Sequence, residues 1–113
     1  MYNTSKDNFH TDVVQASRLD SVVVLMHASW CGPCKGLKPI LERLALEQGF
    51  TLVGVDAGAD RGVAAQYNVR SVPALLVFDG GVVTATRMGG ATEDQLRSWL
   101  AAAGVPPRLE IAP

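Results

Sequence analysis

Five consecutive residues, Val22-Val23-Val24-Leu25-Met26, are apolar with no polar residue between them. A half-exposed strand alternates apolar and polar side chains. A run of β-branched residues without alternation suits a strand covered on both faces, as in the middle of an α/β sheet. The chain must then supply layers to pack above and below that strand. Its 113 residues make one domain with a core of its own. Apolar residues are 48% and charged residues 19%, the balance of a globular protein rather than a disordered one. The run is far too short to cross a bilayer. A formal net charge of −1 gives no reason to expect nucleic acid or an anionic membrane as partner.

The flanking pattern supplies the layers. Lys6 to Arg18 places Phe9, Val13 and Ala16 at near-helical spacing and predicts a short helix. After the strand Ser21 to His27, Leu37, Ile40, Leu41, Leu44 and Ala45 repeat as one face of an amphipathic helix. Pro39 falls inside that helix, where a kink is expected, and Gly49 suits a left-handed cap. Phe50 to Asp56 reads as a second buried strand, and Asp60 to Tyr67 as a short helix burying Val63, Ala64 and Tyr67. Ala74 to Phe78 is a third strand. Asp79-Gly80-Gly81 then signals a hairpin into Val82 to Met88. Thr92 is a good N-cap for a last helix whose buried face is Leu96, Trp99, Leu100 and Ala103. Met1 to Asn3 is a candidate edge strand. The fold class is α/β, a central mixed sheet of four to five strands with helices on both faces. Strands joined through helices are expected to be parallel and the last hairpin antiparallel. The domain is read as residues 1–104, with 105–113 a flexible tail rich in proline.

The two cysteines, Cys31 and Cys34, sit in one short stretch. Cross-linking them constrains almost nothing in the unfolded chain, so the pair is read as chemistry rather than a staple. A structural zinc site wants four ligands, and only His10 and His27 remain, so no metal is expected. Disulfide exchange needs a thiolate. Cys31 follows a strand and opens a helix, where unpaired N–H groups and the helix dipole favour the anion. Gly32 and Pro33 fit the turn, since Pro33 gives up an N–H that has no helical partner. Cys34, almost one turn on, is placed to attack a mixed disulfide formed by Cys31 and is expected to be the more buried thiol. Trp30 is expected to cover the site from one side. Lys35 and Lys38 read as solvated, adding to the positive field.

Trp30-Cys31-Gly32-Pro33-Cys34-Lys35 resembles the thioredoxin active-site motif in full. The resemblance runs from about residue 8 to about residue 103 and takes in Pro39, Pro73, Phe78, Gly81 and Gly89. It implies a thioredoxin fold with a redox-active Cys31–Cys34 disulfide and no bound cofactor. Cys31 would be the nucleophile and Cys34 the resolving thiol. It implies a cis bond before Pro73, with the backbone of Val72 free to pair with an extended substrate segment. The family's substrate surface maps onto Trp30, Gly32, Pro33, Val55, Ser71, Val72, Pro73, Met88, Gly89 and Gly90. Disulfide-containing proteins would be the substrates, and an NADPH-dependent thioredoxin reductase the electron donor. The chain itself has no dinucleotide fingerprint.

Two positions depart from the family. Its buried aspartate and lysine pair is replaced by apolar residues, at Leu25 and at a partner position read as Leu52. Losing both partners together is physically coherent, because neither leaves an uncompensated charge. His27 stands where the family usually has tryptophan. It shares a strand face with Leu25. It reads either as a histidine packed over the helix against a carbonyl or water, or as a proton relay for the cysteines.

The expected function is a thiol-disulfide oxidoreductase that reduces protein disulfides, acting as a monomer in the cytoplasm. No basic patch followed by an apolar run opens the chain, which agrees with a reducing setting. Two alternatives stand beside it. One is a disulfide oxidase or isomerase of an oxidising compartment. The other is a thioredoxin-fold binding module with weak turnover.

Overall fold

The computed structural model describes residues 1–105. Five strands, β1 (Tyr2–Thr4), β2 (Val22–His27), β3 (Thr51–Asp56), β4 (Ala74–Asp79) and β5 (Val82–Met88), form one sheet in the order β1-β3-β2-β4-β5. The apolar run is the central strand, and all five of its residues are buried. Its alternate side chains feed two cores. Val22, Val24 and Met26 pack with Phe9, Val13, Val63 and Phe78 on one face. Val23 and Leu25 pack with Leu37, Leu41, Leu44, Leu96 and Leu100 on the other. The second face is covered by α1 (Gly32–Gln48) and α3 (Glu93–Ala102), and the first by α2 (Arg61–Gln66) and an N-terminal helical segment.

That N-terminal segment is not the single helix expected over Lys6 to Arg18. It is a wide π-type helix over His10–Gln15 followed by a tight 3-10 turn over Ala16–Arg18. The irregularity has a purpose in packing. Phe9 reaches an aromatic trio with Tyr67 and Phe78, whose ring centroids lie 5.1 to 5.6 Å apart. Ser17 ties the same segment to the β4–β5 hairpin. Its carbonyl accepts the Gly80 N–H at 2.9 Å and its Oγ accepts the Gly81 N–H at 2.9 Å. Gly80 and Gly81 both have positive φ, 63° and 88°, as a two-residue hairpin loop between Asp79 and Val82 demands.

One expectation about the sheet fails. β3 and β4 are joined through α2, yet they do not run parallel. β2 pairs parallel with β3 and antiparallel with β4. The helix between them does not run the length of the sheet. A parallel crossover must carry the chain back along a whole strand. α2 has six residues, a rise of only about 9 Å, against about 20 Å for a six-residue strand. The chain therefore re-enters the sheet at the end it left, and Met26 faces both Val55 of β3 and Ala74 of β4.

The C-terminal boundary also shifts. Val105 is fully buried, and its N–H donates to the Leu100 carbonyl at 2.7 Å. With Gly104 at φ 80°, this is a Schellman close to α3, so Val105 packs with the domain rather than with the expected tail. The rest of the expected tail, 106–113, lies outside the described residues.

Candidate active site

Cys31 is the N-cap of α1, in extended conformation at φ −88° and ψ 105°. Its Sγ accepts the Cys34 N–H at 3.1 Å, the bond a Ser or Asp oxygen makes at other helix starts. Pro33 occupies the first turn, where its missing N–H leaves nothing unpaired. The two sulfurs are joined as a disulfide. Thus the helix end, the cap bond and the cysteine pair converge on one sulfur, Cys31 Sγ.

The burial of the two cysteines is not as expected. Each is 3% exposed, so Cys34 is no more hidden than Cys31. Both pack in a small cluster with Ala28, and half-buried Val72 closes it. Trp30 shares a cleft with Val72. It is 74% exposed and stands at the edge of a cleft of about 280 Å³, whose lining includes Gly58, Arg61, Val69, Arg70 and Val72. A Cβ on Gly58 would come within 3.7 Å of Trp30 Nε1, so the indole leans toward the turn after β3. Asp56 Oδ1 holds that turn by accepting the Gly58 and Ala59 N–H groups. Gly58, Arg61 and Arg70 carry no motif, and the helical pattern of Asp60 to Tyr67 gives no sign that they line a cleft.

Val72 and Pro73 reach the cysteines because β4 runs antiparallel to β2, so its start lies at the end of the sheet where α1 begins. The Val72–Pro73 bond is cis, as the resemblance implied. Pro73 is buried, and its carbonyl accepts the Gly89 N–H at 2.9 Å. Gly32, Pro33, Ser71, Met88, Gly89 and Gly90 are exposed around this edge. Val55 is not. It is fully buried between Met26 and Thr4 and cannot belong to a docking surface. Its side chain points into the sheet's interior face, a direction that the strand pattern of Phe50 to Asp56 did not reveal.

Leu25 is fully buried, as expected. Leu52 packs in the same core, so both positions of the family's charge pair are apolar, as read from the sequence; directly across the ladder from Leu25 stands Gly54. A Cβ on Gly54 would lie 2.4 Å from Asn3 Oδ1, so the Asn3 side chain from β1 occupies that space. From there Asn3 Oδ1 meets His27 Nε2 at 3.3 Å. His27 is half-buried at the end of β2, and it lines a second cleft together with Leu25 and Cys34. Burial holds its imidazole below the ordinary value of 6.5. Asp56 pulls it up and Lys38 pushes it further down.

Among the described residues no group of three or more His, Cys, Asp or Glu side chains could hold a metal ion. No helix among them is long and apolar enough to cross a membrane. The redox centre is the cysteine pair itself.

Comparison with known proteins agrees with this geometry. The family model Thioredoxin matches residues 1–102. Thioredoxin C-2 of Corynebacterium nephridii is 38% identical over 100 residues, 87% of this chain and 91% of that protein. Thioredoxin of Acidithiobacillus ferridurans is 39% identical over 98 residues, 85% of this chain and 89% of that protein. Thioredoxin of Rhodospirillum rubrum is 33% identical over 104 residues, 90% and 98% of the two chains. Thioredoxins act without a bound cofactor, through a disulfide of this spacing. A cysteine-capped helix at the end of a central strand is thus both what the chain builds and what its relatives share: the chain belongs to the thioredoxin family, and it is a thiol-disulfide oxidoreductase of the protein-disulfide reductase type.

Proposed function

We propose that Cys31 attacks a substrate protein's disulfide and that Cys34 resolves the mixed disulfide. In the first step the Cys31 thiolate bonds to one substrate sulfur and the other leaves as a thiolate. In the second, Cys34 bonds to Cys31 and releases the first substrate sulfur. Two electrons pass from the dithiol to the substrate. The observation that carries this assignment is the cap bond: Cys31 Sγ, at the start of α1, accepts the Cys34 N–H at 3.1 Å. A sulfur in that position is favoured as the anion by the helix end.

The substrate's extended segment would lie against Trp30, Gly32, Pro33, Val72, Pro73 and Gly89. Exposed Trp30 and the cleft beside it support that placement. The mostly uncharged edge suits brief contact with varied disulfide proteins rather than tight hold of one. An NADPH-dependent thioredoxin reductase would restore the dithiol, with the protein acting as a monomer in the cytoplasm.

The reaction is tested by reduction of insulin with dithiothreitol as electron source. The protein should accelerate precipitation, and Cys31→Ser should abolish the acceleration. Cys34→Ser should instead accumulate covalent adducts with substrate proteins, visible on non-reducing gels. Adducts formed by Cys31→Ser and not by Cys34→Ser would reverse the two roles. No acceleration by the wild type would favour a binding module. A redox potential well above the glutathione poise would favour an oxidase.

A further inference from the structure

The cleft beside Cys34 is unlike the one beside Trp30. It has a volume of about 170 Å³, and its lining includes Leu25, His27, Cys34, Lys35 and Lys38. That is ample for water, which takes about 30 Å³ per molecule. Leu25 offers no group that can accept a proton. Among the side chains around this space His27 is the one with a basic lone pair at neutral pH, since Lys35 and Lys38 are ammonium donors.

The orientation of His27 is set from two strands away. Asn3 on β1 pairs with Gly54 on β3, and its side chain crosses above Gly54 to reach the end of β2. An amide oxygen can only accept a hydrogen bond, so with Asn3 Oδ1 facing the ring at 3.3 Å the tautomer that uses this contact is the one protonated at Nε2. That leaves Nδ1 as the free base, in the manner by which an outer partner fixes the tautomer of a working histidine. The arrangement depends on Gly54, because any Cβ there would stand 2.4 Å from Asn3 Oδ1.

We propose that Asn3 holds His27 so that Nδ1 takes the Cys34 proton through water in this cleft as Cys34 resolves the mixed disulfide. The inference rests on the assignment of Cys31 as attacker and Cys34 as resolver. The Cys34 S–H bond breaks and its proton passes to the imidazole. The Cys34 thiolate then bonds to Cys31 Sγ, and the bond from Cys31 to the substrate sulfur breaks. The substrate sulfur leaves with the electron pair and recovers a proton from the imidazolium or from solvent. The charged groups around the ring are Asp56 from β3, Lys38 and Lys35 from α1, while Asn3 from β1 is neutral. Burial and Lys38 outweigh Asp56, so the ring is held neutral and able to accept. Asn3 and Gly54 are positioning residues.

The test separates attack from resolution. Reduced protein, in excess, is mixed with 5,5′-dithiobis(2-nitrobenzoate) in a stopped-flow instrument. One coloured thiolate is released when Cys31 attacks and a second when Cys34 resolves. His27→Gln should lower the ratio of second rate to first by about a hundredfold, the lower end of the range for a positioned base because water can substitute. In the wild type the second rate should fall as pH drops through the His27 titration, and this limb should vanish in His27→Gln. Asn3→Ala keeps the imidazole but loses its acceptor, so the limb should move to lower pH with a smaller rate loss. It sits on an edge strand, which keeps the test decisive if His27→Gln folds poorly. An unchanged ratio and pH profile in a folded variant overturns the role of His27. A first release that keeps the wild-type rate in Cys31→Ser overturns the assignment of Cys31 as attacker instead.

Discussion

Single residues decide where chemistry can occur in this molecule. The cysteine pair, its helix-start position and Pro33 were legible in the sequence because they lie within a few positions of each other, and local geometry follows from local order. The surroundings of Leu25 were not. Its neighbour across the ladder depends on the register between β2 and β3, and nothing local shows that a glycine, Gly54, stands opposite it. Asn3 was invisible for the same reason, since its contact with His27 spans 24 positions. The depressed imidazole also has a consequence for stability. Unfolded, His27 titrates at its ordinary value of 6.5; folded, burial holds it lower. As pH falls, the unfolded chain binds the proton first, so the favourable contribution is full above about 6.5 and is lost as pH falls toward the folded value. Urea denaturation at a series of pH values should show the midpoint falling below pH 6.5, and His27→Gln should flatten that part of the curve. An equal slope in the variant would assign the loss to other groups.

At the level of elements, end signals were read well, and so were the parallel β2–β3 pair and the antiparallel β4–β5 hairpin; the direction of β4 relative to β3 was not. Thr92 caps α3 as its sequence promised, accepting the Gln95 N–H at 3.2 Å. Gln95 Oε1 returns the bond to the Thr92 N–H at 2.9 Å. Gly49 closes α1 at φ 79°. Thr92→Ala should therefore cost about 1 kcal/mol of unfolding free energy with no change in exchange rate; a loss beyond about 2 kcal/mol would mean that Thr92 does more than cap the helix. The direction of β4 was missed because no residue encodes it. It follows from α2 being too short to traverse the sheet, which is a property of a whole connection. That same reversal is what brings Val72 and Pro73 to the cysteines. A parallel β4 would have begun at the far end of the sheet, and the resemblance to thioredoxin, rather than any spacing, is what implied the cis bond before Pro73.

Over the whole molecule, the uninterrupted run of β2 determines the layers, and the two cores it feeds carry the stability. Phe78 is fully buried and joins the N-terminal segment, through Phe9, to α2's end, through Tyr67. Phe78→Ala should cost about 3–5 kcal/mol, measured by chemical denaturation. A cost below about 1 kcal/mol would mean that this core collapses around the gap. The cysteines belong to neither core. Ala28, Cys31, Cys34 and Val72 form a separate four-residue cluster at the sheet's end. Opening the S–S bond is expected to disturb that neighbourhood and leave both layers standing. The oxidised and reduced molecules are then nearly the same solid, differing at one corner. A partner that must distinguish a spent molecule from a charged one has no distant signal to read, and must inspect the sulfurs and their rim by touch.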